Sequence, residues 1–215
     1  MTTLILVRHG EVHNPNHVVY ADLPGFDLSA CGVLEAHAAA QKLSEIDLDA
    51  VIASPLPRAL HTATAIARRH GLGVVVDQRL VETRMYPQWT GLRWDDVQHR
   101  YARQFDGYLR DATALDDVSE SVEQVAARMR DAAETALASG AHSIAMVGHQ
   151  DPIQALRLTL LSRPLALLRT NTPDHGSLTV LTTSNGSHWT EQSYWKPTNR
   201  AQTLNRAKAG TLPTP

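Results

Sequence analysis

Three stretches of the sequence carry side chains suited to holding and attacking an anion: Arg8-His9-Gly10-Glu11, Ser54-Pro55-Leu56-Pro57-Arg58 and Gly148-His149-Gln150-Asp151. Arginine presents a planar fork of donors that matches phosphate oxygens. Histidine adds a donor or, when neutral, a nucleophilic nitrogen. A solvated loop tolerates such residues one at a time. Their combination suits a site that binds an anion and reacts with it.

The surrounding pattern says how they are positioned. Thr2 to Val7 is β-branched and aliphatic and reads as a buried strand, followed by a loop over Asn14 to Gly25. Ser29 is an N-cap for a helix carrying Leu34, Ala38 and Leu43 on one face. Ala50 to Ala53 is a second strand, and Ser54-Pro55 opens a helix that runs through Ala67. Gly71 and Gly73 end it before a third strand, Val74 to Val76. Residues 83 to 118 form the least regular part, with arginines but no lysine. Trp89 and Trp94 there read as packing for an insertion. Glu120 to Leu137 is an amphipathic helix with Val122, Val125, Met129 and Ala133 in phase. Ser143 to Val147 is the fourth strand, Asp151 to Leu161 a helix. Leu178 to Thr183 and His188 to Trp195 make a hairpin through Asn185-Gly186.

Strand and helix alternate, which predicts an α/β fold: a three-layer α/β/α sandwich around a mainly parallel sheet. Ligands of such sheets sit beyond the carboxyl ends of the strands. His9, Ser54 and His149 occupy those ends, and Glu82 is the one carboxylate at a comparable position after the third strand. One domain is expected over 1–197, with an insertion at about 83–118 and a polar tail over 198–215.

Composition narrows the class. Of 215 residues, 43% are hydrophobic and 20% charged, and 20 basic against 22 acidic side chains leave a net charge of −2. No global field argues for nucleic acid or membrane, so anion preference must be local. The single cysteine, Cys31, excludes an internal disulfide framework and a multi-cysteine zinc site. No apolar run is long enough for a signal core or a span, so a cytoplasmic protein is expected. His9, His13 and His17 recur every four residues, but Gly10, Asn14 and Pro15 oppose the helix that would align them on a metal. Neither H-E-x-x-H nor the P-C-x-x-C of zinc deaminases is present.

Arg8-His9-Gly10-Glu11 and Ser54-Pro-Leu-Pro-Arg58-Ala-Leu-His-Thr-Ala, with Gly148-His149 after the fourth strand, resemble the histidine phosphatase superfamily, the phosphoglycerate-mutase-like branch 1. The resemblance runs from Leu4 to about Leu181. It implies that His9 accepts the phosphoryl group, that Arg8, Arg58 and His149 form the phosphate pocket, and that Glu82 is the proton donor, with no cofactor and no metal. The chain departs from the family at the asparagine often found six residues after the nucleophile: Pro15 stands there, flanked by Asn14 and Asn16, either of which is a candidate to reach phosphate. Around the acid, Tyr86 and Pro87 replace the usual glycine, and Gly91 arrives a residue late.

The expected function is therefore metal-independent hydrolysis of small phosphomonoesters through a phosphohistidine. The alternatives are a phosphoglycerate-type mutase and a phosphoprotein-directed signalling phosphatase. The expected partner is a small phosphorylated metabolite, with no nucleic acid and no membrane, and a homodimer is compatible with the chain. His61 reads as a surface residue, and His175, just before the penultimate strand, as a candidate to border the site.

Overall fold

The computed structural model describes residues 1–198. Its sheet has six strands: β1 (Thr2–Arg8), β2 (Ala50–Ala53), β3 (Val74–Val76), β4 (Ser143–Gly148), β5 (Leu178–Thr183) and β6 (Thr190–Trp195), in the order β3-β2-β4-β1-β5-β6. β1 to β4 run parallel, while β5 pairs antiparallel with β1 and β6 antiparallel with β5. Among the described residues six helices flank it: α1 (Ala30–Leu43), α2 (Pro57–His70), α3 (Trp94–Arg100), α4 (Ala102–Arg110), α5 (Val122–Ala138) and α6 (Gln150–Leu160).

The continuous apolar run of β1 follows from burial on both sheet faces. Ile5 and Val7 pack with Ala39 and Leu43 of α1 and Ala63 and Ile66 of α2. Leu4 and Leu6 face the other way, into a core shared with Met129 of α5 and Leu156 of α6. The sheet is thus the middle of three layers. No helix among the described residues is long and apolar enough to cross a membrane.

Several boundaries differ from the sequence reading. The second helix starts at Pro57, so Pro57 and not Pro55 occupies the favoured first turn, and it continues to His70 before Gly71 closes it with φ 66°. The long helix is α5, capped by Ser121 in a reciprocal capping box with Gln124. The larger difference is residues 83 to 118, which hold α3 and α4 besides two short 3-10 turns. Trp94, Val97, Tyr101, Phe105 and Tyr108 recur at helical spacing, but the break at Tyr101 (φ −127°, ψ 33°) interrupts the phase. Val97 and Tyr108 are buried in the core shared with α5, and Tyr101 and Phe105 pack against it, which supplies what weak local propensity does not. The polar tail expected over 198–215 lies, from residue 199 onward, outside the described residues.

Candidate active site

Sheet register assembles the site. Arg8 at the end of β1 is opposite Gly148 at the end of β4, and Ala53 at the end of β2 is opposite Val147. The residues that follow, His9, His149 and Ser54, therefore emerge side by side. The His9 amide donates to Gly148 O at 3.0 Å and the Ser54 amide to Val147 O at 3.0 Å. The two imidazoles meet edge to face with centroids 5.1 Å apart.

The Arg8-His9-Gly10 segment is held rigidly. The Gly10 amide donates to Thr62 Oγ1 at 3.2 Å, and the Gly176 amide reaches Arg8 O and His9 O, both at 3.1 Å. Gly10 lies against Gly32 of α1 so closely that a Cβ on Gly10 would stand 2.3 Å from Gly32 O. Only glycine allows that approach.

His9 is 2% exposed, and its Nδ1 lies 2.7 Å from Gly10 O. A carbonyl only accepts, so Nδ1 carries the hydrogen and Nε2 keeps its lone pair. Burial, then His149, Arg8 and Arg58, hold the His9 pKa well below the ordinary imidazole value. His9 is therefore neutral at physiological pH, the form in which an imidazole can act as a nucleophile.

Arg8, Arg58 and His149 surround it. Arg8 Nη1 donates to Gln150 Oε1 at 2.7 Å and to Pro173 O at 2.8 Å, while Nη2 lies 2.9 Å from His175 Nε2. Arg58 Nη2 donates to Ala21 O at 2.5 Å, and its guanidinium lies 4.8 Å from the centre of the Tyr20 ring. His149, fully buried at the N-cap of α6, shares a hydrogen bond of 2.8 Å between Nε2 and Ser54 Oγ; its Nδ1 is buried with no side-chain or backbone partner among the described residues. Burial and the two arginines lower its pKa as well.

A cavity of about 280 Å³ opens beside Arg8, and Glu82 is on its wall with Tyr20, Trp89, Tyr108 and Asp151. Burial and the negative charge of Asp151 push the Glu82 carboxyl up to about 7, against the opposing pull of the Thr83 amide, Arg58 and Arg8. A carboxyl protonating there can give a proton to a leaving group and then take one from water.

The sequence candidates separate into three groups. Arg8, His9, Arg58 and His149 are together, with Glu82 on the adjoining cavity. His175, expected at most to border the site, touches Arg8 directly. Asn14 and Asn16 stand apart from this cavity: the Asn14 amide spans Val18 O and Val18 N at 2.9 and 3.1 Å, and Asn16 is exposed. His61 is at the surface, 3.7 Å from Asp27. His13 and His17 are exposed while His9 is buried, so the four-residue spacing brings no shared face. Tyr20, Tyr108, Gln150 and Arg169 were missed. Gln150 adjoins His149 and was legible as the first residue after it; the others carry no local signal.

Comparison with known proteins agrees with this geometry. Residues 4–195 match the family model of the histidine phosphatase superfamily (branch 1). An uncharacterized protein of Mycobacterium tuberculosis is 39% identical over 173 residues, covering 76% of this chain and 81% of that one. Glucosyl-3-phosphoglycerate phosphatase of Mycobacterium tuberculosis is 31% identical over 205 residues, 90% and 86% of the two chains. The solved native structure of mycobacterial glucosyl-3-phosphoglycerate phosphatase superposes with a TM-score of 0.81 at 29% identity, covering 92% of this chain and 99% of that one. With a match that spans residues 4–195 and so nearly the whole sheet, the chain belongs to branch 1 of the histidine phosphatase superfamily and is a phosphoric monoester hydrolase.

Proposed function

We propose that this phosphatase hydrolyses a small phosphorylated metabolite through a phosphohistidine formed on His9. The observation that carries the reading is the His9 ring: Nδ1 bonded to Gly10 O, Nε2 bearing the lone pair, and a low pKa keeping it neutral. Nε2 attacks phosphorus, the P–O bond to the leaving group breaks, and Glu82 gives its proton to the departing oxygen. Glu82, now a carboxylate, takes a proton from water as that water attacks phosphorus. The N–P bond then breaks, returning neutral His9 and inorganic phosphate.

Arg8, Arg58 and His149 stabilise the phosphoryl oxygens as charge builds on them. Arg58 would exchange the neutral carbonyl of Ala21 for a charged oxygen, a stronger acceptor. Asn14 is engaged by the loop and Asn16 is exposed, so neither is assigned to phosphate here. The mycobacterial relative, by its name, also acts on a small phosphorylated metabolite, which supports the substrate size.

The test is rapid-quench trapping with ³²P-labelled alkyl phosphate in the presence of EDTA. Acid-labile, base-stable label mapping to His9, lost in His9→Ala, is the expected result. No label in the wild type during turnover overturns the covalent route. Label that persists and drains only with added bisphosphate would identify a mutase instead.

A further inference from the structure

We propose that the natural leaving group is uncharged and carries a compact ring, so that phosphorylated carboxylic acids and bisphosphates are poor substrates. This rests on the preceding assignment of Glu82 as proton donor, which places the leaving group in the cavity beside it.

Charge decides the first half. Three arginines border the cavity: Arg8, Arg84 and Arg169. Arg8 belongs to the phosphate. Arg84 is paired twice with Asp22, Nε to Oδ1 at 2.7 Å and Nη2 to Oδ2. Arg169 Nη1 donates to Asp151 Oδ1 at 2.8 Å, and its guanidinium lies over Tyr108, 4.5 Å from the ring centre. Tyr108 O–H donates to Asp151 Oδ2 at 2.7 Å. Beyond Arg8, therefore, every cation bordering the cavity among the described residues is matched by a carboxylate. A carboxylate on the substrate would find no arginine there, beyond Arg8, that is not already bonded to a carboxylate, so it would compete with Asp22 or Asp151. Asp151 is 5% exposed, and displacing it leaves a buried charge without its partner.

Shape decides the second half. Tyr20, Tyr86, Trp89, Trp94 and Tyr108 face the cavity along with Met85. Trp89 is fixed by Tyr86 at 4.6 Å and by the edge of Tyr108 at 5.9 Å, while Trp94 is 38% exposed. Such a wall rewards a flat or saturated ring more than a short polar chain. A volume of about 280 Å³, just below the roughly 300–1,000 Å³ of ligand sites, favours a compact group.

The experiment compares kcat/KM for cyclohexylmethyl phosphate, its 4-carboxy analogue and ethyl phosphate, all esters of primary alcohols. The ring compound should exceed ethyl phosphate by about tenfold or more, and the carboxylated analogue should fall at least about tenfold below the ring compound. Asp22→Asn releases Arg84 and should narrow that second gap severalfold, whereas Asp22→Asn with Arg84→Ala should restore it. Trp94→Ala should shrink the preference for the ring over ethyl phosphate. Equal or better use of the carboxylated analogue, a ring preference below about twofold, or a gap unmoved by Asp22→Asn overturns the proposal. If no phosphohistidine forms with any of the three substrates, the reading beneath it fails instead, and the two failures are told apart by the quench.

Discussion

His175 Nε2 lies 2.9 Å from Arg8 Nη2, and the guanidinium can only donate, so His175 is the acceptor. Burial, then Arg8, push the His175 pKa down to about 3. It therefore remains a neutral acceptor across the working pH range and orients the arginine next to His9. His175→Ala should weaken competition by inorganic phosphate and lower kcat/KM, with a loss of about 2 kcal/mol, roughly thirtyfold, as expected for a hydrogen bond to a charged group. His175→Gln should recover part of it. Unchanged phosphate inhibition in His175→Ala would show that Arg8 needs no such support.

On the proposed mechanism Glu82 should set the alkaline limb of activity. Its carboxyl is pushed up to about 7, so the protonated form declines as pH rises through that value. For alkyl phosphates kcat/KM should fall about tenfold per pH unit above 7. Aryl phosphates with good leaving groups should show a weaker fall. Glu82→Gln should cut alkyl phosphate hydrolysis severely, aryl phosphate hydrolysis less, and prolong the phosphohistidine. Equal losses for both leaving groups would remove Glu82 as the acid.

Glu35 gives a stability prediction of known sign. Its carboxylate oxygens face the Glu11 amide at 2.7 Å and the Cys31 thiol at 3.7 Å, and burial pushes its pKa up to about 7. The folded pKa lies above the unfolded one, so the stability it contributes is complete below about pH 4 and is lost as pH rises through 7. Allowing for screening, Glu35→Gln should reduce the pH dependence of unfolding between pH 4 and 8 by on the order of 1–2 kcal/mol. Denaturant melts of both proteins across that range are the check.

Gly32 packs directly against the backbone that follows His9. A Cβ there would stand 2.0 Å from Glu11 O, a backbone atom that cannot swing aside. Gly32→Ala should destabilise the fold by about 1–3 kcal/mol or more by forcing α1 from the Arg8–Glu11 segment. It should also lower kcat more than an equally destabilising change in the α5 core, such as Met129→Ala. Parallel losses in the two variants would separate the Gly10–Gly32 contact from catalysis.

Much of this protein was legible along the chain because its signals are local. An apolar run buried on both faces gave β1, a serine cap marked α1, apolar periodicity marked α5, and the candidate site segments followed strands β1, β2 and β4. Once the sheet was expected to be parallel, its carboxyl edge had to gather His9, Ser54 and His149, since all three follow strands running the same way. What the chain could not declare depends on partners distant in sequence. Asp151, Tyr108 and Arg169 lie 43, 61 and 18 residues apart in pairs, and periodicity says nothing about contacts at such separations. The helices α3 and α4 form around aromatic side chains whose stabilising burial exists only once the α5 face is in place. The proton affinity of Glu82 is set the same way. An ordinary carboxyl in sequence, it is raised to about 7 by desolvation and by Asp151, and both of those come from packing alone.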